Sequence, residues 1–141
     1  MRRNAAAAPP VLDTHAWLWW MDRDLRLGEA TLEALDSLAG ERAPYLCDVS
    51  LWEVAMLVGR GRISVDEPLL EWLEAAAHPR TVRVIPIMPA IAAEVASLPQ
   101  SFHGDPADRL IVATCRVLDV PLLSHDSRIV QSRLVKRWSP S

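Results

Sequence analysis

The chain reads as an α/β fold: a central parallel sheet of four to five strands flanked on both faces by helices. Two patterns predict it. Short apolar runs alternate with helical stretches along the whole chain, which favours parallel strands joined by right-handed crossovers. Several of those strands also end on an acid followed at once by a helix start, the place where open α/β sheets bind ligands. The clearest such unit begins at Asp105 and ends at Asp126. Asp105 suits an N-cap, Pro106 the first helical position, and Asp108 the positive end of the helix macrodipole. The helix stops before Pro121, residues 121–124 form a strand, and that strand leads to Asp126.

The remaining elements follow in order. Val11-Leu12 is a short strand ending on Asp13, with Thr14 expected as the cap of a helical turn over residues 16–21. Leu27, Leu32, Leu35 and Leu38 recur at helical spacing. Trp17, Trp19 and Trp20 are too many indoles for one core face, so Trp17, Trp20 and Met21, with residues 69–72, are expected to form an apolar docking surface. Tyr45-Leu46-Cys47 is the second strand, and Ser50-Leu51-Trp52-Glu53 matches a capping box. The helix after it ends at Gly59, a basic turn Gly59-Arg60-Gly61-Arg62 follows, and residues 69–76 are amphipathic. Residues 81–85 alternate as a third strand, closed by Pro86 and Pro89, and residues 91–98 are helical. A short helix over 127–132 and an edge strand over 134–138 complete the chain.

With 141 residues, half of them apolar, the chain suits one domain with a real core, here residues 11–141 after a disordered segment 1–10. The net charge of −3 supplies no general field for nucleic acid, so contact with a polyanion needs a local basic patch or a bound cation. Cys47 and Cys115 are too few for a disulfide framework or a cysteine zinc site and are expected as buried thiols. Pro9, Pro10 and Asp13 interrupt any signal-peptide core, and no apolar run is long enough to span a membrane, so a cytoplasmic protein is expected.

Asp13, Glu53, Asp108, Asp126 and Asp105 thus occupy equivalent places at strand ends and helix starts. Each has a structural explanation as a cap or dipole partner. Together they form a cluster of like charges that calls for a compensating cation or a basic partner. All-oxygen ligation selects Mg²⁺, for which Mn²⁺ can substitute, rather than zinc. A hard cation in an acidic crevice suits phosphoryl chemistry.

The blocks Val11-Leu12-Asp13-Thr14-His15-Ala16-Trp17-Leu18-Trp19, Ser50-Leu51-Trp52-Glu53-Val54-Ala55, Gly59-Arg60-Gly61-Arg62-Ile63, His103-Gly104-Asp105-Pro106-Ala107-Asp108-Arg109 and Leu122-Leu123-Ser124-His125-Asp126 resemble the ordered blocks of PIN-domain ribonucleases. The resemblance is greatest to the toxin component of VapBC toxin–antitoxin pairs. It implies a three-layer PIN-like fold, a Mg²⁺-dependent endoribonuclease, an RNA substrate, a VapB-type antitoxin partner and a homodimer. By the same resemblance Asp13, Glu53, Asp108 and Asp126 stand at the four acidic positions. Asp13 and Asp108 would bind metal most directly, and Glu53 and Asp126 would hold its waters. Asp105 would support the site while capping its helix, and Ser124 would orient a carboxylate or phosphate. His15, His103 and His125 are expected beside the acids rather than as catalysts. Two other classes stay open: an inactive PIN-like binding module, and a phosphoacceptor receiver domain, which would want an acid after its third strand where Ile85-Pro86 stands.

Overall fold

In the computed structural model, which describes residues 8–38, 40–102 and 105–140, four parallel strands form one sheet in the order β3-β2-β1-β4. These are β1 (Val11–Leu12), β2 (Tyr45–Cys47), β3 (Arg83–Ile85) and β4 (Leu122–Leu123). β1 lies centrally, pairing Leu12 with Leu46 on one side and with Leu123 on the other. The chain steps outward from β1 to β3 and then returns to place β4 across β1. The strand order therefore reverses between β1 and β4, which is where a crevice opens at the carboxyl ends of an open sheet.

Alternation of side chains divides the core into two faces. Leu12, Leu46 and Leu123 point into one layer with α1 (Thr14–Met21), α2 (Glu29–Ser37) and α4 (Leu69–Ala76). Val11, Cys47 and Leu122 point into the other, with α6 (Pro106–Leu118) and α7 (Ser127–Ser132). Ile91 of α5 (Pro89–Ser97) is also buried, while α3 (Val49–Gly59) contributes Val54 to the first layer and Val49 to the second. Both cysteines are buried free thiols.

Several expectations change once the chain is folded. The first helix is capped by Asp13, whose Oδ1 accepts from the Ala16 N–H at 2.8 Å, and Thr14 is already helical. The leucine-patterned stretch from 27 to 38 divides into a 3₁₀ turn, Leu25–Leu27, and α2, because Gly28 at φ 95° breaks the helix in a conformation that disfavours a side chain. Residues 134–138 pair with β4 only through an isolated bridge, Leu122 to Arg137. Arg133 is left-handed, and the Arg116 guanidinium donates to the Leu134 carbonyl, so this backbone turns and bonds to a side chain instead of continuing a ladder. Before β1, the Pro10 carbonyl accepts from the Tyr45 N–H and Pro10 is buried, so ordered backbone begins ahead of Val11; residues 1–7 of the expected disordered segment lie outside the described residues.

The expected docking surface around Trp17 and Trp20 is the largest correction. Trp17 is 0% exposed: its Nε1 donates to the Ala76 carbonyl at 2.9 Å, and its ring packs on Trp72 at 5.3 Å. Trp20 is buried as well and donates to Asp36 at 2.9 Å. Helix α4, expected to line that surface beside them, packs its Trp72 and Ala76 directly on Trp17, so both indoles lie in the core with their N–H groups satisfied, while Leu70 stays exposed. Of the three indoles in α1, only Trp19 remains partly exposed.

Candidate active site

A cavity of about 300 Å³ opens at the carboxyl ends of β1 and β4. It is lined by Asp13, Glu53, Asp105, Asp108 and Asp126, with Thr14, His15, Trp19, His125 and Arg128 completing the wall. Asp13 follows β1 directly, and its N–H donates to the Leu123 carbonyl at 3.1 Å, which fixes it at the seam between the central strands. Asp105 caps α6, accepting from the N–H groups of Ala107 at 2.9 Å and Asp108 at 3.4 Å. Asp108 sits in the first turn of that helix. Asp126 caps α7 through the Arg128 N–H at 2.9 Å, and its other oxygen lies 3.5 Å from the Arg128 guanidinium. Ser124 is buried beneath the cavity; it hydrogen-bonds the Asp13 carboxyl and accepts from the Asp126 N–H at 3.0 Å, so one hydroxyl couples two acids. His103 lies outside the described residues.

Glu53 reaches the site by a route the spacing did not suggest. The capping box of Ser50 and Glu53 does not form. Helix α3 starts at Val49 with no side-chain cap bond, and both residues turn to Thr14 instead. Thr14 Oγ1 donates to Glu53 Oε1, and a hydroxyl carries one hydrogen, so Ser50 Oγ must donate to Thr14 across their 2.8 Å contact. Glu53 thereby loses its local explanation as a cap and is held toward the cavity by a residue on another helix. Thr14→Val is expected to destabilise the fold by about 1–2 kcal/mol, because it strands the buried Ser50 hydroxyl, and to raise the Glu53 pKa. Thr14→Ser should preserve both. Equal denaturant midpoints for the two variants would show that this relay carries no energy.

The electrostatics reflect the crowding. Burial pushes Asp13 above the usual carboxylate range despite its bonds from Ser124 and Ala16. Glu53 is raised by burial first, against the opposing bond from Thr14, and then by the charges of Asp105 and Asp13. Asp108 is pushed up to about 7, first by burial and then by Asp105, Glu53, Asp126 and Asp13. At Asp126 burial acts upward, but the hydrogen bonds from the Arg128 backbone and side chain prevail and hold it low.

This donor set fits a hard divalent cation. Five carboxylates share one small cavity, Arg128 is the only Arg or Lys side chain among its described lining residues, and burial followed by the neighbouring carboxylates makes the charged form of Asp108 unfavourable. Among the described residues no three acidic, imidazole or thiol groups close into a protein cage. A hard divalent cation that keeps several waters and takes one or two direct carboxylates needs no such cage.

The sheet order and the crevice at its reversal define an open, doubly wound α/β domain with an acidic site at the switch point. Residues 11–134 match the PIN domain family, and the chain belongs to it. Ribonuclease VapC22 of Mycobacterium tuberculosis (strain ATCC 25618 / H37Rv) is 38% identical over 123 residues, which are 87% of this chain and 91% of that protein. A chain of a toxin–antitoxin complex from Klebsiella pneumoniae superposes with a TM-score of 0.58 at 18% identity, covering 84% of this chain and 87% of that one, a likeness of fold.

Proposed function

We infer that this protein is the toxin of a type II toxin–antitoxin pair and acts as a metal-dependent endoribonuclease. The observation that carries the reading is the convergence of five carboxylates on one cavity at the sheet's reversal, in a PIN chain 38% identical to a ribonuclease. Its partner is an antitoxin of the VapB type, and we propose that it works in the cytoplasm as a homodimer. No described helix is long and apolar enough to cross a membrane.

We propose Mg²⁺ as the ion, with Asp13 and Asp108 holding it directly and Glu53 and Asp126 holding its waters. When bound, such an ion neutralises the phosphate and makes water easier to deprotonate. Ser124 keeps Asp13 and Asp126 in register, Asp105 holds the start of α6 and with it Asp108, and Thr14 fixes one oxygen of Glu53 so that the other is left to orient water. Attack of that water on phosphorus breaks the bond to the 3′-oxygen and leaves a 5′-phosphate and a 3′-hydroxyl.

The alternative chemistry would use the RNA's own 2′-hydroxyl with imidazole help. Purified protein with RNA and Mg²⁺ is expected to cut, EDTA to abolish cutting, and a 2′-deoxyribose at the cleaved nucleotide to be tolerated. Cyclic-phosphate ends that persist in EDTA would overturn the reading, and a folded protein that never cuts RNA would leave a binding module.

A further inference from the structure

The acids account for the floor of the cavity but not for how it retains RNA. An ion held by the five carboxylates would compensate the reacting phosphate, but a chain of net charge −3 adds no general field for the rest of the polyanion, so further affinity needs a source at the rim. Trp19 is that rim's aromatic wall. The other two indoles of α1 are buried in the core, while Trp19 stays half-buried beside the acids. The exposed imidazoles of His15 and His125 flank it, at 6.2 Å and 59° and at 5.6 Å and 71° respectively. The Arg26 guanidinium lies 4.9 Å from the indole centroid, tied to Asp24 by bonds of 2.7 and 3.1 Å. The Arg26 guanidinium covers one face of the indole and the two imidazoles meet it at a tilt, which holds the ring in place at the rim, and an indole binds any base through its π-face without the phosphate.

We propose that Trp19, with His125 edge-on beside it, is a base-stacking subsite that holds an unpaired nucleotide flanking the scissile phosphate. The proposal rests on the nuclease reading above. It requires the RNA to be single-stranded at the cut, because a base within a duplex cannot leave its neighbours to lie on the indole without being unpaired. It makes Trp19 a binding residue whose effect falls on KM, and it predicts tolerance of base identity at that position.

The test pairs protein and substrate changes. A single-stranded oligoribonucleotide with one mapped cut is compared with versions carrying an abasic ribose on either side of it, using wild type, Trp19→Ala and Trp19→Phe. Wild type is expected to lose roughly tenfold to a hundredfold in kcat/KM on one abasic substrate, mostly through KM. Trp19→Ala should show a similar loss on the intact RNA and little further loss on the abasic one, and Trp19→Phe should recover most of both. An unchanged Mn²⁺-induced shift in melting temperature would confirm that Trp19→Ala leaves the acids in place. Binding read by fluorescence anisotropy with Asp108→Asn should show the same abasic penalty without cleavage. Cleavage with no abasic penalty in wild type, or with equal penalties in wild type and Trp19→Ala, overturns the subsite and leaves the nuclease. A Trp19-dependent abasic penalty in binding by a protein that never cuts would overturn the nuclease and leave the subsite.

Discussion

Asp108→Asn is expected to abolish RNA cleavage, by roughly a hundredfold to a thousandfold or more, while melting at a higher temperature than wild type in EDTA. The two effects have one cause. Asp108 stands where burial and four neighbouring carboxylates make its charge unfavourable, so removing that charge relieves the empty site and removes a ligand from the filled one. Asp13→Asn should be equally inactive, and its amide oxygen can still cap α1 in place of Oδ1. Asp13→Ala is expected to lose that cap as well, at about 1 kcal/mol of stability. His125→Ala should retain the chemical step, because the hydrolysis proposed here needs no imidazole. Steady-state cleavage and thermal melts of the four variants decide the matter; an Asp108→Asn protein with more than a tenth of wild-type activity would remove the acids from the mechanism.

The second large effect is on stability, through metal and pH together. Saturating Mn²⁺ at a hundredfold excess over its dissociation constant should add about 2.7 kcal/mol, which for a chain of this size is a rise of roughly 8 °C in melting temperature. Without metal, the dependence on pH has an unusual sign. Asp108 has a carboxyl raised from 3.8 to about 7 in the folded state, so between those values the native protein keeps a proton that the unfolded chain gives up. The stability this provides is complete below about pH 4 and is lost as pH rises through 7. The raised Asp13 and Glu53 act in the same direction, while Asp126, held low, acts oppositely and only toward acid pH. In EDTA the melting temperature should therefore fall from pH 5 to pH 8. With Mn²⁺ the gain on adding metal should grow over the same interval, because the ion and the proton compete for the same carboxylates. Identical melting curves with and without Mn²⁺ at pH 8 would exclude the metal site.

The capping acids were legible because a cap is a local event. Asp105 before Pro106 and Asp126 before Ser127 accept N–H groups two or three residues ahead, and nothing distant is needed for them to do so. The short apolar runs ending at Asp13 and near Asp126 were legible for the same reason, and placing acids at the ends of parallel strands already directed them toward one edge of the sheet. Both Asp13 and Thr14 can cap, and the chain chose Asp13, the residue at the strand's end and the stronger cap of the two.

What the sequence determined by itself, then, is the alternation of strand and helix, the caps of α6 and α7, and the acids at strand ends and helix starts, since each follows from residue type and spacing within a single turn or strand. Only the tertiary structure decided the rest. Glu53 turned from a local cap to Thr14, 39 residues away, once α1 and α3 were packed side by side. Trp17 and Trp20 went inside because α4 and Asp36 offered partners for their N–H groups, which left Trp19 alone at the cavity. The raised carboxyl of Asp108 exists only where acids from separate elements meet away from water, since charge repulsion depends on distance in space and desolvation on burial, and neither is written in the spacing of residues along the chain.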